Sequence, residues 1–150
     1  MTMPSSERLG AYVKRTHQAL HATKQAVLKP AGLTVPQYAA LLHLSEHPGI
    51  SAAGLARACA VTPPTMNTVL KNLQERGLVD RTPHAWHGNV LETRLTEAGQ
   101  TVLADADARA VRVERALAEE FTEEERTTLI ALLDRCVDLL EAVRPGPEPK

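Results

Sequence analysis

A mainly α-helical fold with one small β-hairpin is what the sequence predicts, on three observations. Of the 150 residues 43% are hydrophobic but only 3% aromatic, and the Leu, Ala and Val that dominate favour helices over a sheet-rich sandwich or barrel. Apolar positions recur at helical spacing along most of the chain, and apolar–polar alternation is confined to two short runs between residues 78 and 95. Ser or Thr stands just ahead of the periodic runs that follow Leu33, where a helix needs an oxygen to satisfy its first backbone N–H groups. The length suits one compact unit rather than two independent domains.

From Glu7 to about Leu28 the positions Leu9, Val13, Thr16, Leu20 and Val27 form one helical stripe, which Pro30 and Gly32 end. Thr34-Val35-Pro36-Gln37 has the form of a capping box, opening a helix that must stop before Pro48-Gly49 and bury Tyr38, Leu41, Leu42 and Leu44. Ser51 caps a short helix over Ala52 to Ala60, with Leu55 and Ala56 inward. Thr62-Pro63 starts the next, and Gly77 suits its left-handed stop. Leu78 to Thr82 and Val90 to Leu95 alternate about the turn-forming stretch Pro83 to Asn89, a two-stranded hairpin or wing. Thr96 caps a long helix through about Glu119, and the capping box Thr122 to Glu125 opens the last. The apolar set of that last helix, Leu129, Leu132, Leu133, Cys136, Val137, Leu139, Leu140 and Val143, covers more than one face, which asks for a partner subunit. Residues 1–6 and 144–150 are too poor in apolar side chains to offset the entropy of ordering and are expected to be mobile.

The net charge of −1 conceals a polarity: Lys and Arg outnumber Asp and Glu five to two over residues 1–48 and five to three over 49–94, but fall to seven against thirteen over 95–150. Local positive surface is what attracts a polyanion, so the middle segment is free to meet phosphates. Cys59 and Cys136 lie 77 positions apart and make neither a disulfide framework nor a metal-type motif; buried thiols in a reducing cytoplasm are expected. The sequence shows no secretory leader pattern and no uncharged run near the ~18 residues of a membrane span, so a cytoplasmic protein without membrane contact is expected.

Between residues 62 and 77, Met66, Val69, Leu70 and Leu73 must point inward, which leaves Thr65, Asn67, Thr68, Lys71 and Asn72 around the outer side. Hydroxyl, amide and ammonium groups suit base edges and phosphates, and the helix N-terminus adds its partial positive charge. Any surface helix can display such groups. The order short helix, tight turn, Thr-Pro-capped helix, hairpin is much more specific, and describes a winged helix-turn-helix.

Leu33-Thr34-Val35-Pro36-Gln37-Tyr38, Gly49-Ile50-Ser51, Leu55-Ala56, Leu73 to Arg81 and Leu95-Thr96-Glu97-Ala98-Gly99 resemble, in order and spacing, the MarR (multiple antibiotic resistance regulator) family over about residues 7–143. The resemblance implies a transcriptional regulator, in sense a repressor, that binds a pseudo-palindromic operator in double-stranded DNA as a homodimer. It implies a DNA-binding lobe over about residues 34–95 and dimerisation helices over about 7–29, 96–119 and 122–143. Ser51, Thr62, Thr65, Asn67, Thr68, Lys71 and Arg81 are the expected DNA contacts, and Leu9, Val13, Leu132, Cys136 and Leu140 the expected dimer contacts. The chain departs from the family in its wing, where an Arg usually enters the minor groove but no Arg or Lys lies between Thr82 and Thr93. Arg81, His87 and Asn89 are the substitutes, and Trp86 is expected to pack the hairpin ahead of stacking on the DNA backbone.

The resemblance further implies a small aromatic effector in a crevice near the dimerisation helices, and His17, His21, Tyr38 and His43 are groups able to line one. His17 with His21, and His43 with Glu46 and His47, are spaced for paired metal ligands, which leaves a metal-responsive regulator as one alternative. No Cys or carboxylate cluster completes either pair, so no metal or cofactor is expected. Residues 1–58 contain no cysteine, whereas peroxide-sensing members of the family resemble one another in an N-terminal one. No nucleophile–base pair, carboxylate dyad or phosphate loop is present, so an enzyme is not expected. A winged-helix module that binds only proteins is the remaining alternative, since fold does not fix function.

Overall fold

The computed structural model describes residues 3–83, 85–86, 88 and 91–146. Six helices and one hairpin follow in the order α1 (Leu9–Leu28), α2 (Val35–Glu46), α3 (Ala52–Ala58), α4 (Pro63–Glu75), β1 (Val79–Pro83), β2 (Leu91–Leu95), α5 (Glu97–Glu119) and α6 (Glu123–Ala142). Single 3-10 turns occupy Ser5–Glu7 and Lys29–Ala31. The expected mobility of residues 1–6 and 144–150 falls partly on 1–2 and 147–150, outside the described residues; Ser5–Glu7 forms a 3-10 turn whose neighbour Arg8 donates from Nε to the Met3 carbonyl at 2.9 Å.

Two compact units divide the chain, Met1–Val113 and Glu114–Lys150. The first holds the core. Leu28, Leu33, Ala40, Leu41 and Leu44 meet Leu55, Met66, Leu70, Leu73 and Val79 there, each at 2% exposure or less. Capping fixes where its helices begin. The Thr34 hydroxyl accepts from the Gln37 N–H and the Gln37 side chain from the Thr34 N–H, while Ser51 and Thr62 accept from the N–H groups of Gly54 and Thr65. Gly32 and Gly77 stop their helical segments in the left-handed conformation, at φ 72° and 71°.

The hairpin is antiparallel, pairing Val79 with Leu95, Arg81 with Thr93 and Pro83 with Leu91. The expected start of the second strand at Val90 lies outside the described residues. Thr96 then ties three elements together: its N–H donates to the Leu78 carbonyl at 3.1 Å, its hydroxyl donates to the Gly77 carbonyl at 2.6 Å, and that same oxygen accepts from the Gly99 N–H at 3.0 Å. Gly99 is buried against the chain at Leu78, where a β-carbon would overlap the Leu78 carbonyl oxygen.

In the second unit α6 opens with the expected capping box of Thr122 and Glu125, and Arg126 closes the preceding turn by donating to the carbonyls of Ala118 and Phe121. No residue of α6 is buried. No helix among the described residues is long and apolar enough to cross a membrane.

Candidate nucleic-acid interface

The helix-turn-helix is set by how α3 ends. The Val61 N–H donates to the Ala56 carbonyl at 3.0 Å, a closure that needs a left-handed residue, and Ala60 supplies it at φ 53°. Sequence gave no sign of this, because the position usually taken by Gly or Asn holds Ala. Thr62 and Pro63 restart the chain at once, so α4 leaves the turn with Met66, Leu70 and Leu73 at 0% exposure on its inner face. Thr65, Asn67, Thr68 and Lys71 are exposed on the opposite side, as the spacing predicts.

Each of these groups has a distinct hydrogen-bonding state. Thr62 and Thr65 share a hydroxyl–hydroxyl bond of 2.9 Å, and Thr68 donates to the Pro64 carbonyl at 3.2 Å, so the Thr68 oxygen faces outward mainly as an acceptor. Asn67 makes no hydrogen bond among the described residues, and both its amide NH₂ and carbonyl are open to a bidentate partner. Lys71 Nζ lies 3.9 Å from Glu75 Oε1 with both side chains well exposed, a pairing too weakly held to keep the ammonium from a phosphate. Asn72 is different from its neighbours. Its Oδ1 accepts from Gln37 Nε2 at 2.8 Å, and Gln37 Oε1 in turn accepts from Arg76 Nη1 at 3.5 Å, which locks the end of α4 to the start of α2.

Two further cations of this lobe were not assigned from sequence. Arg57 is exposed in the last turn of α3, and Arg94 is exposed on β2 with Nη2 3.3 Å from Glu92 Oε2. The excess of Lys and Arg over residues 49–94 was the available signal. Arg81 is half-buried on β1; its Nε and the Oγ1 of its cross-strand partner Thr93 are buried without a hydrogen bond among the described residues. His87 and Asn89 lie outside the described residues. The expected packing of Trp86 is corrected: the indole is 87% exposed, too open for a ring packed into the hairpin's apolar side.

The four effector candidates are not brought together. Tyr38 is a core residue at 8% exposure whose hydroxyl donates to Asp107 Oδ1 at 2.8 Å. His17 and His21 are exposed on α1 with ring centroids 6.1 Å apart, and His43 is half-buried with Nδ1 3.9 Å from Glu46. A cavity of about 280 Å³ reaches Asp107, the partner of Tyr38, and is lined by Leu42, Ser45, Leu95, Gln100 and Leu103, among others, but by none of the four. Among the described residues no three His, Cys, Asp or Glu side chains converge as a metal site. Both cysteines are free and half-buried, and burial pushes the Cys59 thiol up, away from the reactive thiolate.

The expected dimer contacts share one property. Leu9 is 75% exposed and Val13 46% on α1; on α6 Leu132 is 47% and Leu140 61%, with Cys136 half-buried. Side chains of this kind are unusual on a free surface in such density.

A family model described as the MarR family matches residues 31–88, the stretch from the end of α1 to the wing. The HTH-type transcriptional repressor Rv2887 of Mycobacterium tuberculosis is 38% identical over 108 residues, which covers 72% of this chain and 78% of that protein. The crystal structure of the M. tuberculosis MarR family protein Rv2887 with salicylic acid superimposes with a TM-score of 0.69 at 31% identity, covering 89% of this chain and 99% of that one. The transcriptional repressor CouR bound to a 23-mer DNA duplex gives a TM-score of 0.80 at 28% identity, over 91% of this chain and 98% of CouR.

Proposed function

The chain belongs to the MarR family, and from that membership we propose that it is a repressor that holds a pseudo-palindromic operator as a homodimer and lets go when a small aromatic molecule binds. The observation that carries this reading is the division of α4, with Met66, Leu70 and Leu73 fully buried and Thr65, Asn67, Thr68 and Lys71 exposed opposite them. A helix anchored on one side and polar on the other is what a major groove accepts. Asn67 reads bases, with Thr65 and Thr68 beside it, while Ser51, Thr62, Lys71 and Arg81 hold phosphates. Arg57 joins them from α3.

The homodimer is supported by the exposed apolar side chains of α1 and α6, which a second copy would cover. Effector release is supported by the salicylic acid in the Rv2887 structure, and the cavity beside Tyr38 and Asp107 is where we place it. The protein acts in the cytoplasm, where its operator is.

Footprinting on the stretch upstream of the coding sequence tests the reading. Two protected segments about 10 base pairs apart, centre to centre, are expected of two α4 helices on one face of the duplex. Uniform protection, or none at any concentration that saturates unrelated DNA, contradicts it.

A further inference from the structure

We propose that the cavity walled by α2, β2 and α5 takes a small aromatic molecule that carries hydrogen-bond donors and no negative charge, an amide, phenol or amine, and turns away aromatic acids. The inference rests on the reading of this cavity as the effector site and names the class of molecule that enters it. The walls set the class. Leu42, Leu95 and Leu103 supply the apolar surface that an aromatic ring needs, and Ser45, Gln100 and Asp107 supply the polar groups. The Ser45 hydroxyl donates to the Leu42 carbonyl at 2.7 Å, which leaves its oxygen to accept from a ligand. Asp107 accepts the Tyr38 hydroxyl on Oδ1 at 2.8 Å and, as a carboxylate, has acceptor capacity beyond that one bond. Two of the three polar groups therefore ask for a donor.

Charge points the same way. No Lys, Arg or His is among the described residues that line the cavity. Arg94, Arg109 and His43 stand close in sequence to lining residues, and each has an acidic neighbour of its own: Arg94 Nη2 lies 3.3 Å from Glu92 Oε2, Arg109 Nε 3.1 Å from Asp105 Oδ2, and His43 Nδ1 3.9 Å from Glu46 Oε2. An aromatic acid placed here brings a second negative charge beside Asp107, and it leaves the acceptors of Ser45 and Asp107 without a donor. A ligand N–H or O–H satisfies them, and an ammonium adds attraction to the carboxylate. The excess of thirteen Asp and Glu over seven Lys and Arg across residues 95–150 gives the α5 wall a field of the same sign.

The test uses matched aromatic probes, benzoate with benzamide and benzylamine, and the same three groups on phenol and naphthalene rings, titrated into the full chain and followed by ligand-observed NMR. Each amide and amine should bind at least about tenfold more tightly than the acid on the same ring. Asp107→Asn keeps an oxygen to accept from the Tyr38 hydroxyl but removes the charge, and should bring acid, amide and amine to within about threefold of one another. Ala104→Phe, at an exposed position on the cavity wall, should block every probe without touching the core. Acids that bind as tightly as amides, or a preference that Asp107→Asn leaves unaltered, overturn the inference and leave effector release standing. Amide binding that survives Ala104→Phe puts the ligand elsewhere and overturns it too, and binding of no probe overturns both the inference and the cavity as the effector site. The same probes added to the complex with a duplex selected from a random-sequence library separate the two readings. Binding with the expected preference that leaves duplex affinity unchanged supports the inference and contradicts effector release.

Discussion

Ala60 is the residue on which the angle between α3 and α4 depends, and it is the wrong residue for the conformation it adopts. A left-handed backbone at φ 53° costs an L-residue with a β-carbon roughly 1 kcal/mol. Replacing it with Gly removes that strain but loosens the unfolded chain, so Ala60→Gly should change stability by less than about 1 kcal/mol in urea unfolding. Ala60→Val adds a β-branch at the same φ and should destabilise by about 1–2 kcal/mol. Equal stability of the two variants would show that the turn does not need this geometry. At this scale sequence was uneven. Side chains whose role follows from helical spacing, such as Met66, Leu70 and Asn67, were legible, because periodicity alone tells inside from outside. The bond from Gln37 to Asn72 was not, since it joins residues 35 positions apart that only the packing of α2 against α4 brings together. Trp86 misled because an aromatic residue in a short hairpin normally has a core within reach.

The elements themselves were almost fully readable, since each helix after α1 carries its own start signal in a Ser or Thr whose oxygen the structure shows bonded to a backbone N–H. Boundaries moved by one or two residues, as with α3, which ends at Ala58 rather than Ala60 because the left-handed turn begins there. What could not be read was why Leu95-Thr96-Glu97-Ala98-Gly99 takes this form. Thr96 caps α5 and hooks the end of α4 through the Gly77 carbonyl, and Gly99 lets α5 touch the Leu78 backbone. A methyl group at Gly99 has only backbone to displace, so Gly99→Ala should cost about 1–3 kcal/mol despite the gain in helix propensity, measured as a lowered urea midpoint at unchanged m-value. A stabilised Gly99→Ala would mean that α5 does not seat on the hairpin base in this way.

On the scale of the whole molecule the chain separates its tasks by charge and by oil: the basic excess lies over residues 1–94 and the acidic excess over 95–150. Helix α6 buries nothing of its own while Ile130, Leu139, Leu140 and Val143 are each 60% exposed or more. A second copy is the expected cover, so Leu132→Glu combined with Leu140→Glu should sediment as a monomer and lose operator binding together. A variant that stays dimeric would place the interface elsewhere. The claim beneath all of this is that the outer face of α4 divides its labour between Asn67 and Lys71. Affinities across a salt series, on a selected duplex and on a scrambled one, test it most directly. Lys71→Ala should weaken both duplexes alike and lower the salt slope by about one, while Asn67→Ala should narrow the gap between them by about 1–3 kcal/mol. Two substitutions with the same effect on both duplexes would contradict the account.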